Sequence, residues 1–153
     1  MALTVDTNSY IGTTDADTYF ADRLNSDLWT GDDKDKALIQ ATQIIDNSNY
    51  LGSKISTTQA LKFPRYDLYD DGIALASDET PQRVLDATCE LAIYLLQEDY
   101  SAPNDMADYG RVKIGALEVE TSGGGGTGVK TLPPLVNDLL KPFIISGTRL
   151  VRG

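Results

Sequence analysis

From Pro81 to Glu98 apolar residues recur at helical spacing: Val84, Leu85, Thr88, Leu91, Ala92 and Leu95 fall on one side of a single turn pattern. Thr80 supplies a capping hydroxyl, and Pro81 stands at a first helical position, where its missing N–H would have had no partner. Burying each large aliphatic side chain contributes roughly 1.5–3 kcal/mol, so a stripe this long has to be covered. The pattern therefore predicts a helix over about 81–98 at the centre of the fold, and the other apolar segments must pack on it.

Three segments suit that task. After Thr30-Gly-Asp-Asp33, a capping signal, Ala37, Leu38, Ala41, Ile44 and Ile45 make the clearest amphipathic run, ending near Asn47 or Asn49. A helix over about 15–24 is opened by the capping signal Thr14-Asp-Ala-Asp17, with Ala16, Tyr19, Phe20 and Leu24 inward, and Leu28 and Trp29 docking from a connector. Pro134 to Lys141 makes a short last helix with Leu135, Val136, Leu139 and Leu140 as its apolar side, stopped by Pro142. Between them, residues 50–78 lose periodicity and read as a long loop anchored by Ala60, Leu61 and Phe63. Val112, Ile114, Leu117 and Val119 alternate within Arg111–Glu120, the period of a β-hairpin, and an isolated hairpin needs a partner surface. The expected fold is mainly α: one domain of 153 residues, a small helical bundle over about 14–100, a β-hairpin insertion near 111–121, a glycine tether over 122–130, and a last helix with an extended carboxyl-terminal tail over 133–153.

Several chemistries are removed by the residues present. There is no histidine, so serine-histidine triads and ordinary zinc sites are excluded. Asp67 to Gly72 misaligns with a calcium loop, placing Tyr69 at the third position and Asp78 at the twelfth, and reads as a solvated acidic turn. Ser122-Gly-Gly-Gly-Gly-Thr-Gly-Val-Lys-Thr131 approaches a phosphate loop, but Val129 separates Gly128 from Lys130, and Pro133-Pro134 delays the helix that would meet the anion. Gly123, Gly124, Gly125, Gly126 and Gly128 are instead read as a hinge. Cys89, the single cysteine, falls inside the central helix as core filler. No secretory start is visible, and Leu91 to Leu96 is too short an apolar run to cross a bilayer. These readings predict a protein that is not an enzyme and needs no cofactor; a carboxylate-dependent hydrolase has only acid-rich turns in its favour.

The order of several motifs resembles a tailed-phage family labelled DnaT-like single-stranded-DNA-binding protein: Asn8-Ser-Tyr-Ile11, Ala16-Asp-Thr-Tyr-Phe20, Lys36-Ala-Leu-Ile-Gln-Ala-Thr42, Gln59-Ala-Leu-Lys-Phe-Pro-Arg65 and Thr80-Pro81. Val112-Lys-Ile-Gly-Ala-Leu-Glu-Val119, Pro134 to Pro142 and Arg149-Leu-Val-Arg-Gly153 fit it also. The order is similar to that of helical head-tail connectors, also called adaptor or head-completion proteins. That resemblance implies a virion neck component made in the host cytoplasm: a homo-oligomeric ring of about twelve copies beneath the portal, joined to a downstream tail or stopper protein, with double-stranded DNA passing through unbound. It implies that Phe143, Ile144, Ile145, Arg149, Leu150, Val151 and Arg152 dock on the portal. Phe63, Arg65, Val112, Ile114, Leu117 and Val119 are the expected lateral contacts between subunits.

Charge separates that reading from its rival. The net charge is −10; residues 1–100 carry 7 basic and 18 acidic side chains, and residues 101–153 carry 6 and 5. An acidic lining lets duplex DNA slide, whereas a single-strand-binding protein of phage replication, the alternative, wants cations interleaved with aromatics. Eight tyrosines are present, with no basic groove legible around them.

Overall fold

The computed structural model describes residues 2–97 and 132–145. In chain order these form α1 (Thr13–Ala21), a 3-10 turn at Ser26–Leu28, α2 (Lys34–Ile45), strands β1 (Ser53–Lys54), β2 (Arg65–Tyr66), β3 (Tyr69–Asp70) and β4 (Ile73–Ala74), α3 (Gln82–Gln97) and α4 (Pro134–Leu140). A second 3-10 turn, Lys141–Phe143, follows α4 directly. Among the described residues this is a small mixed α/β domain, four α-helices with two separate antiparallel ladders, β1 with β2 and β3 with β4. The hairpin expected near 111–121 and the glycine tether lie outside the described residues.

Helix α3 is the common partner of the others: it packs on α2 and α4, and more lightly on α1. Ala87 to Ile93 are buried without a break, so the middle of α3 is enclosed on all sides rather than along the single stripe its spacing predicts. Cys89 lies among them, and burial pushes its thiol well above the usual range, which keeps it protonated and inert. The five expected inward residues of α2 are all buried.

Helix α1 begins and ends earlier than its sequence pattern suggests. Gly12 and Asp33 are the N-cap residues of α1 and α2, and neither makes a side-chain cap bond, so Thr14 and Thr30 do not cap. Thr13, at the start of α1, donates its hydroxyl to the Asp35 carboxylate in the first turn of α2, which ties the two helix starts together. Because α1 stops at Ala21 and Asn25 turns in the left-handed region at φ 64°, Leu24 leaves the apolar face and is 85% exposed. Trp29 does dock, with its ring 4.6 Å from Phe20 and its indole N–H donating to Asp17 at 2.7 Å, whereas Leu28 remains exposed.

Residues 47–74 are not a loose loop. Phe63 is fully buried among Tyr50, Tyr10 and Phe143, whose ring centroids stand at 4.7, 5.8 and 6.0 Å in edge-on packing. The segment after α4 closes this cluster: Ile144 pairs antiparallel with Tyr50, the Leu51 N–H donates to the Phe143 carbonyl at 2.8 Å, and the Ile145 N–H donates to Asn49 at 3.1 Å. Leu51 to Ala74 then hangs from a core built by chain segments far apart in sequence.

Two of the buried phenols make this core sensitive to alkali. Burial, followed by the nearby Asp46 carboxylate, raises the ionisation of Tyr10 and of Tyr50 far above the ordinary value of about 10. The folded state thus retains protons that the unfolded chain releases, so stability is complete below about pH 10 and falls by about 1.4 kcal/mol per pH unit for each of these groups above it. The phenolate absorbance contributed by Tyr10 and Tyr50 should therefore appear only as circular dichroism is lost in alkaline titration, and Tyr10→Phe should reduce the slope. Ionisation of every tyrosine with the helices intact would refute this.

Candidate nucleic-acid interface

Asn47 to Tyr66 is a stretch of twenty residues with Lys54, Lys62 and Arg65 and no Asp or Glu, in a chain where 23 of 153 residues are acidic. The fold turns this stretch into the β1–β2 ladder and its flanking turns, with Ser53 opposite Tyr66 and Lys54 opposite Arg65. Arg65 fastens it. Its Nε donates to the Leu51 carbonyl at 2.7 Å, Nη1 to Lys62 at 3.1 Å, and Nη2 to Gly52 at 2.8 Å and Tyr50 at 3.3 Å. Burial pulls its ionisation below the usual guanidinium value, opposed by Tyr10 and Asp46, yet Arg65 remains a cation.

Gln59 does the same for the turn before it. Its carbonyl accepts the N–H groups of Ile55 and Ser56, and its amide donates to Leu61 and Pro64. Lys62 closes the base, its N–H bonded to Asp46 at 2.9 Å and its ammonium to the Ser48 carbonyl at 2.6 Å. Asp46 also accepts the Tyr10 hydroxyl, so one carboxylate joins the turn to the aromatic core. Gly52 is obligatory here: its φ is +73°, and a Cβ would lie 2.0 Å from the Tyr66 carbonyl oxygen.

The second ladder continues the surface. Asp67 turns the chain at φ 62°, Leu68 is buried, and Tyr69 pairs with Ala74 across a two-residue loop, Asp71-Gly72, in which both residues have positive φ. The acids sit here: Asp67 and Asp71 are exposed, and Asp70 lies 3.8 Å from Arg83 of α3. Arg83 in turn donates to the carbonyls of Asp138 and Leu139, pinning α4. Of the six described tyrosines, Tyr10 and Tyr50 are buried, Tyr19 and Tyr94 are half-buried, and Tyr66 and Tyr69 are exposed. Among the described residues no three Cys, Asp or Glu side chains cluster so as to hold a metal ion.

The residues expected to form two outward contact surfaces are placed differently. Phe63, Arg65, Phe143, Ile144 and Ile145 come together, but in one closure within the chain: Phe63 and Phe143 are core residues with no face left for a neighbour, Arg65 holds carbonyls of its own loop, and Ile144 is half-buried against Tyr50. Ile145 alone among the five is exposed. Arg149, Leu150, Val151, Arg152, Val112, Ile114, Leu117, Val119, Gly123, Gly124, Gly125, Gly126 and Gly128 lie outside the described residues. Lys54, Tyr66 and Tyr69, which the sequence reading passed over, had a signal in the acid-free run and in Asp71-Gly72, a hairpin dipeptide.

A family model described as "Putative DnaT-like ssDNA binding protein" matches residues 2–153. The chain belongs to this family. No curated protein and no solved structure matches it. Membership in the DnaT-like family corrects the connector reading, because the family is described by single-stranded DNA and not by joining heads to tails. The adaptor ring of about twelve copies, the portal and tail partners, the passive passage of duplex DNA and the place in the virion neck are withdrawn with it. The order of short motifs is compatible with both readings, and neither the acidic bulk charge nor the apolar chain end separates a conduit from a binding protein. In the DnaT-like fold the beginning of that end, Phe143, instead completes the protein's own core.

Proposed function

We propose that this DnaT-like protein binds single-stranded DNA during replication, in the host cytoplasm, as a binding protein and not as an enzyme. The observation that carries the proposal is the family match over residues 2–153. On a mainly helical scaffold, the acid-free stretch 47–66 supports it by offering one surface where a phosphate backbone is not repelled. The rest of the acidic body keeps DNA away from other faces, so the charge distribution directs the strand rather than forbidding it.

Fluorescence anisotropy of a labelled oligonucleotide tests this. A single strand should bind more tightly than a duplex of the same sequence, with affinity that falls as salt rises. No detectable binding of the single strand at low salt, or equal binding of the duplex, would overturn the proposal.

A further inference from the structure

The geometry points to Tyr66 and Tyr69 as a pair of stacking platforms for unpaired bases, with stacking rather than charge supplying most of the affinity; this rests on the single-strand reading above. These residues are 48% and 55% exposed, in contrast to Tyr10, Tyr19 and Tyr50, whose hydroxyls are committed to Asp46, Glu90 and the Ile45 carbonyl. Each faces a small residue across its ladder, Ser53 for Tyr66 and Ala74 for Tyr69, so neither ring is covered by a cross-strand neighbour. Among the described residues no ring contact or hydrogen bond engages either side chain.

The platform is also rigid where it matters. Leu68, between the two tyrosines, is buried, and the Leu75 N–H donates to the Leu68 carbonyl at 2.9 Å, so the backbone joining the rings is pinned to the body. Three residues of chain span at most about 11 Å, which lets one short strand reach both rings. A duplex offers only base edges in its grooves, whereas an open strand offers the flat π-face of each base, so these rings suit single strands.

Charge adds little at this place. Residues 47–74 hold Lys54, Lys62 and Arg65 against Asp67, Asp70 and Asp71, a local balance of zero, with Arg83 beside Asp70. With about two or three phosphate contacts, the slope of log affinity against log salt for a single strand is about −1.5 to −2, far shallower than for a basic groove. Lys54, exposed and paired across the ladder with Arg65, marks the side along which the phosphates run, away from Asp71.

The experiment compares the wild-type chain with Tyr66→Ala, Tyr69→Ala, the double variant and Tyr66→Phe, on a labelled thymidine oligonucleotide and on an abasic strand of equal length. Each alanine should weaken thymidine binding by about 5- to 150-fold, the loss of one stacked base, and Tyr66→Phe should retain it. The abasic strand should bind as weakly as the double variant binds thymidine. Circular dichroism should be unchanged, because both rings are on the surface. If the wild type binds thymidine and the double variant or the abasic strand binds equally well, or if the salt slope is about −5 or steeper, the stacking site is refuted while single-strand binding stands. Absence of binding by the wild type would instead remove the function itself.

Discussion

Phe63→Ala should destabilise the domain by about 3–5 kcal/mol and release residues 47–74 from the body. The ring is fully buried and touches three other aromatics edge-on, one from each of three distant segments: Tyr10 before α1, Tyr50 after α2, and Phe143 after α4. Deleting it removes their shared partner at once, and the cavity cannot collapse easily because Tyr10 and Tyr50 are held by hydrogen bonds to Asp46 and Ile45. Urea denaturation followed by circular dichroism measures the loss. Phe63→Leu, which keeps most of the volume, should cost clearly less. Equal, small losses for both would mean that the aromatic cluster does not hold the closure.

Arg23→Ala should cost about 3 kcal/mol by leaving a carboxylate stranded inside the central helix. Glu90 is 5% exposed and receives Arg23 Nε and Nη2 and the Tyr19 hydroxyl, all at 2.6 Å. The pair links the turn after α1 to the middle of α3. Arg23 itself is 30% exposed, so water screens part of the attraction, and the expected loss stays at the low end for a buried pair. Because the cost arises from the unpaired charge, the double variant Arg23→Met/Glu90→Leu should be more stable than Arg23→Ala alone. A double variant less stable than the single would show that Glu90 is not stranded without Arg23 and that its bond from the Tyr19 hydroxyl is enough to hold it.

The helices were legible because each satisfies one long-range demand, covering apolar surface, with a pattern that repeats over several turns. Every residue of the α2 stripe is buried, and α3 lies within a residue of its expected start. What the pattern could not show is where enclosure ends: Leu24 and Leu135 fit their stripes and are exposed, since helix length and neighbour position decide that. The ladders are two residues long, too short for any alternation to appear. They are set by backbone signs at Gly52, Asp71 and Gly72 and by the carbonyl bonds of Arg65 and Gln59, contacts that local spacing does not reveal. The charge of the chain hid the candidate interface as well. Dividing the charge at residue 100 left one acid-free stretch of twenty hidden inside the acidic part of the chain.

The pairing of Tyr50 with Ile144 joins positions synthesised roughly 90 residues apart, which at typical translation speeds means about 5–20 s of waiting. During that interval Phe63 and its aromatic neighbours have no lid, and the nascent chain presents sticky surface to chaperones and to other ribosome-bound copies. Production of this protein is thus most vulnerable before its last described helix emerges, and lower growth temperatures that weaken apolar association should improve the soluble yield.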